Sequence, residues 1–200
     1  MGRPRMFDES AVLDAAAAEF RVRGFANTST EQLCEAADVR RSSLYNTFVS
    51  KDELFVRALE HYIDTIRERQ TALLTDDGLR GADRLRALVD LVVAEEQAAV
   101  RRGHAAGCMV VQSFMDPALR ERDERVARLL DRDLRERTAL LAGAIRAGRA
   151  DGSIPAGIDP HDGALLVSTV VSGIRVTAQA GVDTETLRRV ALAGLHALLG

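Results

Sequence analysis

The spacing of apolar residues is the feature that most constrains the fold of this chain. The clearest early example spans residues 8–23, where positions i, i+3, i+4 and i+7 are occupied by Leu13, Ala16, Ala17 and Phe20. The alternation of apolar and polar residues that marks a half-buried strand does not occur in the sequence. Only 4% of the residues are aromatic and only four are proline, so composition also favours helix over strand. We therefore expect an all-α protein with about nine helices.

Short breaks rich in glycine, proline and capping residues divide the chain into these helices. The predicted ranges are 8–23, about 28–37, 40–48, 50–70, 82–102, 107–115, 117–149, 160–180 and 184–199. Gly24 is expected to stop the first helix, and Ser50 to cap the fourth. Asp116 and Asp159 each precede a proline and are expected to cap the helix that follows. The second helix has two alternative capping boxes, Thr28 with Glu31 or Ser29 with Gln32.

One stretch of the sequence, VRRSSLYNTFVSKDELF at residues 39–55, concentrates basic and hydrogen-bonding side chains in a chain whose net charge is −3. Two short helices joined by a tight turn at Val39, the second with polar and basic residues pointing outward, form the helix-turn-helix arrangement that reads a major groove. Net charge does not exclude this function, because only the face that contacts DNA must neutralise phosphates.

The sequence from Phe20 to Phe55 also resembles the DNA-binding domain of TetR-family transcriptional regulators. The matching positions are Gly24, Phe25, Thr28, Ser29, Ala36, Ala37, Val39, Leu44, Tyr45, Phe48, Ser50, Lys51 and Leu54. The resemblance implies a three-helix DNA-binding domain at residues 1–52 and a larger helical domain for effector binding and dimerisation at residues 53–200. The chain departs from the family pattern at Asn46 and Thr47, where the family often has histidine or another aromatic residue, so no operator sequence can be carried over.

The resemblance implies a role for each polar residue of the motif. The groove-facing residues would be Arg41, Ser42, Ser43 and Asn46, with Arg41 suited to guanine and Asn46 to adenine. The phosphate-binding residues would be Thr30, Tyr45, Thr47 and Lys51, the only lysine in the chain. Arg3 and Arg5 would form an arm in the minor groove, or else belong to a plain terminal tail. The ring of Tyr45 could instead be part of the core, with only its hydroxyl reaching out.

A single reading helix covers too few base pairs for useful specificity, so we expect a homodimer. The predicted helices at 160–180 and 184–199 are candidates for its interface, because the first is apolar around most of its circumference. Small residues that would let a partner helix approach are Gly163, Ser168, Ser172 and Gly173. The alternative is that the 160–180 helix is an ordinary buried core helix.

The resemblance further implies a pocket for a small, largely apolar effector between residues 82 and 180, whose binding would tilt the fourth helix and respace the two reading heads. The candidate ligand-binding residues are Val93, Cys108, Met109, Gln112, Phe114, Met115, Leu130 and Thr169. Any of these residues could instead be plain core.

Two other functions remain open from the sequence. Cys108 follows Gly107 at a predicted helix start, four residues after His104, so it could be a thiol sensor rather than a small buried side chain. A small helical enzyme or carrier is a more distant alternative, but the chain has no HExxH, GxSxG, Rossmann or P-loop pattern. We expect no enzymatic activity, cofactor, metal or disulfide. No export signal or membrane-length apolar run is evident, and we expect a cytoplasmic protein.

Overall fold

The computed structural model describes residues 8–101 and 107–199, and these residues form helices and no strand. The helices are α1 (Glu9–Asn27), α2 (Thr30–Ala36), α3 (Arg41–Phe48), α4 (Lys51–Leu74), α5 (Gly81–Arg101), α6 (Met109–Phe114), α7 (Pro117–Arg122), α8 (Glu124–Ala150), α9 (Pro160–Gln179), α10 (Thr184–Gly194) and α11 (His196–Leu199). The all-α fold is confirmed, with eleven helices in the described residues instead of about nine.

The predicted helix starts are confirmed at three caps. The Ser50 hydroxyl accepts a hydrogen bond of 3.1 Å from the Glu53 amide at the start of α4. The carboxylates of Asp116 and Asp159 accept from backbone amides at the starts of α7 and α9, each just before a proline. Each cap satisfies an amide that has no partner within its own helix.

The structure decides between the two capping boxes of α2. Ser29 caps the helix, since its hydroxyl accepts from the Gln32 amide at 3.2 Å and the Gln32 side chain accepts from the Ser29 amide at 2.8 Å. Thr28 is buried and donates its hydroxyl instead to the Gly24 carbonyl at 2.6 Å. The Thr28 hydroxyl is therefore occupied by α1 and does not cap α2.

Helix boundaries differ from the sequence prediction in three places. Gly24 does not end α1 but kinks it, with φ 73° and ψ 170°, and a last turn follows to Asn27. The predicted 117–149 helix is divided at Asp123, which is extended and uses its carboxylate to cap α8 through the Arg125 amide. A short aspartate side chain can compete in this way with helix continuation. The predicted 184–199 helix is divided at Leu195.

Two clusters of buried apolar residues hold the helices together. The first core cluster contains residues of α1, α2, α3, α4, α6, α7 and the first half of α8. The second contains residues of the end of α4, α5, the second half of α8, α9, α10 and α11. Helix α4 belongs to both clusters and packs against α1, α5 and α8. A shift of α4 would therefore reach both clusters. In the described ranges, each helix is too short or too polar to span a bilayer.

Candidate functional site

Helices α2 and α3 and the turn between them form a compact polar surface, which we call the reading head. Leu44 and Phe48 of α3 are buried against the first core cluster, so the opposite face of α3 points outward. Arg41, Ser42 and Asn46 are exposed on that face. Ser43 is half-buried, at the edge of the surface. The helical period thus places three of the four predicted groove-facing side chains on the outer surface of α3.

Arg41 has partners within the protein. Its Nη1 atom lies 2.8 Å from Oε1 of Glu31 on α2, and its guanidinium lies 5.6 Å from the centroid of the Tyr45 ring. The Arg41 and Glu31 side chains are 63% and 69% exposed, so water competes strongly for the ion pair and Arg41 can exchange partners. The pKa of Glu31 is lowered, first by a backbone hydrogen bond and then by Ser29 and Arg41, which keeps a negative charge on the reading head.

Hydroxyl groups surround the outer face of α3. The Thr30 hydroxyl and the Tyr45 hydroxyl lie 3.0 Å apart, which joins the start of α2 to the middle of α3. Thr47 donates its hydroxyl to the Ser43 carbonyl at 3.3 Å. Tyr45 is half-buried, so a ring that packs inward and a hydroxyl that reaches the surface are compatible with one another.

Lys51 lies at the first position of α4, beside the reading head. Its Nζ atom donates a hydrogen bond of 2.7 Å to the Thr28 carbonyl and lies 4.4 Å from the centroid of the Phe25 ring. Burial lowers the pKa of this half-buried ammonium. An ammonium has three N–H donors, so the bond to Thr28 leaves two for other acceptors. Lys51 therefore ties the end of α1 to the start of α4 and can still contact a phosphate.

Three residues named from the sequence lie outside the described ranges. These are Arg3 and Arg5 of the predicted arm and His104 before Cys108.

A cavity of about 530 Å³ lies between α4, α6, α8 and α9. Its apolar lining residues are Ile63, Ile66, Val110, Val111, Ala139, Leu140 and Val171, together with Cys108. Its polar lining residues are Arg67, Gln70, Thr71, Asp133, Glu136, Arg137, Ser172 and Arg175. A cavity of this size, with an apolar wall and a few convergent polar groups, is typical of a small-molecule site.

Of the eight candidate ligand-binding residues, only Cys108 lines this cavity. Met109 and Leu130 are buried in the first core cluster and Val93 in the second. Phe114 packs on the outside of the first cluster, and Met115 is 79% exposed.

Two candidates that are neither core nor cavity lining remain. The Gln112 side chain donates to the Arg21 carbonyl, and the Thr169 hydroxyl donates to the Leu165 carbonyl on the surface. Apolar spacing shows which residues point inward but does not show which helix faces leave a space between them.

Sequence reasoning missed the polar wall of the cavity. Arg67 and Gln70 follow Ile63 at positions i+4 and i+7, so they continue the inward stripe of α4 with polar side chains. That break in an apolar stripe is a signal that the sequence carries. Arg137 and Arg175 lie on other helices, and their approach to α4 depends on tertiary packing.

A buried polar network connects the cavity with α1. Arg175 of α9 is 3% exposed and pairs with Glu95 and Glu96 of α5. Burial alone would lower the pKa of Arg175, but neighbouring acidic groups, including these two carboxylates, raise it overall. Glu96 also accepts a hydrogen bond of 3.0 Å from the Gly107 amide, and the Gly107 carbonyl accepts one of 3.0 Å from Nε of Arg21 in α1.

Cys108 is the N-cap residue of α6 and lies beside this network. It is 7% exposed and interacts with the hydroxyl of Tyr62, whose pKa is raised by burial and by that cysteine. In the described residues, His, Cys, Asp and Glu do not gather in the groups of three or more that would hold a metal ion. Cys34 and Cys108 are both free thiols.

Sequence and structure comparisons agree on the family. Residues 12–58 match the family model for bacterial regulatory proteins of the tetR family, and residues 81–193 match the tetracyclin repressor-like C-terminal domain. The HTH-type transcriptional repressor ComR of Escherichia coli (strain K12) is 27% identical over 190 residues, which cover 95% of this chain and 88% of ComR. The repressor NemR of the same strain is 26% identical over 82% of this chain and 80% of NemR.

A solved structure covers nearly the whole chain. A cysteine mutant of the TetR family transcriptional regulator CifR, complexed with 26-bp double-strand operator DNA, is 32% identical, with a TM-score of 0.80 over 98% of this chain and 99% of that one. A TetR-family regulator from Agrobacterium tumefaciens, 19% identical with a TM-score of 0.81 over 95% of this chain and 96% of that one, shares the fold. The first family model covers the reading head, and the second covers the helices from α5 to most of α10, while the α4 residues that line the cavity lie between the two matched ranges. This chain therefore belongs to the TetR family of bacterial regulatory proteins.

Proposed function

We propose that this protein is a transcriptional repressor that binds a palindromic DNA operator as a homodimer and is released by a small molecule. The observation that carries the proposal is the outer face of α3, where Arg41, Ser42 and Asn46 stand exposed beside Lys51. This surface has the donors that read base edges and the cation that binds phosphate. The operator complex of CifR and the repressor names of ComR and NemR support the same function.

The residue roles within this proposal are those expected from the sequence. Arg41, Ser42, Ser43 and Asn46 would contact bases, and Thr30, Tyr45, Thr47 and Lys51 would contact phosphates. Arg3 and Arg5 would lie in the minor groove. Residues 1–52 would act as the DNA-binding domain and residues 53–200 as the effector and dimerisation domain, although α4 and the first core cluster cross that boundary.

The dimer interface would lie on α9 and α10. Their outer surface is apolar and exposed at Leu165, Val176 and Val190, with Gly173 between them. A water-exposed apolar surface shared by two neighbouring helices is typical of a subunit interface. Gly163, by contrast, packs inside the subunit, where an added Cβ would lie 2.8 Å from Ile145 Cδ1, and Ser172 lines the cavity. These two residues are therefore not available to a partner helix.

The effector would occupy the cavity between α4, α6, α8 and α9. A ligand there touches Arg67 of α4 and Arg175 of α9. Arg175 pairs with Glu96, Glu96 accepts from the Gly107 amide, and the Gly107 carbonyl accepts from Arg21 of α1. A ligand that shifts Arg175 would therefore also shift α1, which packs against the reading head. Shifting an equilibrium from 99:1 to 1:99 requires the ligand to prefer the released state by ~5.5 kcal/mol.

The thiol-gated alternative is not needed for this mechanism. Cys108 is 7% exposed and belongs to the first core cluster, where a cysteine packs as a small apolar residue. Replacement of Cys108 by serine is expected to leave DNA binding intact and release by the effector possible, although the effector affinity can change because Cys108 lines the cavity. We expect the protein to act in the cytoplasm, where bacterial DNA lies.

The decisive experiment selects bound fragments from a random DNA pool with the full-length protein and then measures binding of the selected DNA as salt is raised. We expect two inverted half-sites at least one helical turn apart and a steep loss of affinity with salt. The test variant combines Arg41→Glu on the reading head with Lys51→Glu beside it, and the control is Arg146→Glu on the exposed side of α8. Selection without a repeated half-site, or retention that survives the double reversal, would disprove the proposal.

A further inference from the structure

The chemistry of the cavity indicates what kind of small molecule it accepts. One part of the wall is apolar, formed by Ile63 and Ile66 of α4 with Val110, Leu140 and Val171. A volume of about 530 Å³ accommodates a body the size of a substituted ring or a medium-length alkyl chain. The rest of the wall is polar, and its groups that lack hydrogen-bond partners indicate which polar group the ligand carries.

Three buried N–H donors at this polar wall have no hydrogen-bond acceptor. They are Nε and Nη2 of Arg67 and Nε of Arg137. Buried donors without acceptors are costly, and guanidinium donors more so than neutral ones. The two arginines come from α4 and α8, and both line the cavity.

The neighbouring acids approach these arginines without satisfying the free donors. Glu136 Oε2 lies 3.1 Å from Arg67 Nε, and Asp133 Oδ2 lies 3.1 Å from Arg137 Nη1, but neither contact has the direction of a hydrogen bond. Asp133 is itself only 8% exposed, and its Oδ2 atom is also without a hydrogen-bond partner. The polar wall thus contains three N–H donors and one carboxylate oxygen that make no hydrogen bond.

Resting on the effector role proposed above, we propose that the ligand is a carboxylic acid with an apolar body, and that Arg67 and Arg137 bind its carboxylate. Two carboxylate oxygens match the planar donor fork of a guanidinium better than any single acceptor does. An amine would pair with Asp133 or Glu136 and would leave the three arginine donors unused. A primary amide has one acceptor oxygen and could satisfy only part of the site.

Asp133 adds a second requirement to this site. Burial raises the pKa of its carboxyl group, against the opposing effect of Arg137 and Arg67. When it is protonated, its O–H can donate to the ligand carboxylate, and when it is ionised, it can accept from a hydroxyl group on the ligand. Hydroxy acids are therefore expected to bind at least as tightly as the simple acids of the same body.

Calorimetric titration of the full-length protein, without DNA, tests the proposal. The probes are 4-phenylbutyrate and octanoate, each compared with the primary amide and the amine of the same body. We expect at least one acid to bind about 10-fold or more tightly than its amide and amine, because charge-assisted hydrogen bonds are stronger than neutral ones. Equal or tighter binding of the amides or amines, or no binding by either acid, would overturn the proposal.

Variants locate the carboxylate. Arg67→Gln and Arg137→Gln are each expected to weaken acid binding by roughly 10- to 100-fold. The controls are Arg69→Gln on α4 and Arg146→Gln on α8, exposed arginines outside the cavity lining, which are expected to have no effect. Arg67→Lys keeps the charge but removes the planar pair of donors. If Arg67→Gln does not fold, Arg67→Lys is measured instead, and it is expected to retain only part of the acid affinity of the unchanged protein. Unchanged acid affinity in both cavity variants would show that the arginines do not hold the ligand.

The result is separable from the repressor function. DNA retention is measured on the same protein without any acid. Acid binding without DNA retention would leave the cavity assignment intact and reject the repressor, whereas DNA retention without acid binding would do the opposite.

Discussion

Nε of Arg21, in the α1 helix that packs beside the reading head, donates a hydrogen bond of 3.0 Å to the carbonyl oxygen of Gly107, just before α6. The Gly107 amide in turn donates to Glu96, the buried partner of Arg175 in the cavity wall. One residue thus receives contacts from α1 and from the cavity side. This relationship connects the proposed effector site with the helix that packs beside the reading head.

Replacing Arg21 with glutamine tests the strength of that connection. The variant loses the bond to Gly107 and the stacking of the guanidinium over Tyr62, at 5.6 Å from the ring centroid. We expect a stability loss of about 1 kcal/mol in urea unfolding. Arg23→Gln is the matched control, since Arg23 lies in the same helix but is exposed and pairs with its helix neighbour Glu19. Equal losses in the two variants would show that the Gly107 contact contributes nothing.

The ion pair between Glu31 and Arg41 predicts opposite effects for its two members. Glu31→Gln is expected to tighten operator binding, because it frees Arg41 and removes a negative charge beside DNA. Arg41→Ala is expected to cost ~1 to 3 kcal/mol of discrimination at one base pair, because a bidentate contact to guanine is lost. Fluorescence anisotropy with the selected operator and single-base variants measures both effects. Weaker binding after Glu31→Gln would mean that the pair holds Arg41 in its binding position.

Lys51 has a structural contact and a proposed phosphate contact, and the salt dependence separates them. Lys51→Met keeps an unbranched apolar side chain but removes the ammonium over Phe25 and the bond to Thr28. If Lys51 neutralises one phosphate, the slope of log K against log salt should fall in magnitude by about 0.9. Anisotropy titrations at several salt concentrations give this slope. A lower affinity with an unchanged slope would assign Lys51 a structural role alone.

The exposed face of α9 and α10 predicts how the dimer can be broken. Val190→Asp places a carboxylate in the proposed interface, where burial of an unpaired charge costs several kcal/mol. We expect sedimentation to show monomers at micromolar concentration. Val100→Asp on α5 is a matched control, since Val100 is 60% exposed and Val190 is 61% exposed. A variant at Val190 that still sediments as a dimer would place the interface elsewhere.

Removal of the Asp133 carboxylate is expected to raise stability in a pH-dependent way. Because burial raises the pKa of Asp133 above the ordinary value of 3.8, the folded protein holds this proton more tightly than the unfolded chain does. The free energy of unfolding is therefore unaffected by this group below its unfolded pKa, and it decreases as the pH rises through its folded pKa. We expect Asp133→Asn to raise stability in urea unfolding at pH 7.5 and to lose that advantage as the pH is lowered toward 4.

The control for this pH dependence is Asp131→Asn, in the same helix, where the Asp131 side chain is 48% exposed and pairs with Arg120. It is expected to give no comparable gain. A loss of stability in Asp133→Asn at pH 7.5 would mean that the attraction from Arg137 and Arg67 outweighs the burial of the carboxylate.

Much of the fold follows from local signals in the sequence. Ser50, Asp116 and Asp159 cap helices where the sequence places them, because a cap depends on a few consecutive residues. The exposed positions of Arg41 and Asn46 follow from the helical period once Leu44 and Phe48 are known to face inward. These features need no information from distant parts of the chain.

The cavity and the internal partners of the polar residues were decided by tertiary structure. Arg67, Arg137 and Arg175 come from three helices, and no spacing within one helix shows that they meet. Periodicity identified Met109 and Leu130 as inward-facing, but only packing decides whether an inward side chain meets another side chain or an open space. Local sequence thus determined the helices and their outward faces, while contacts between residues far apart in sequence determined the site inside.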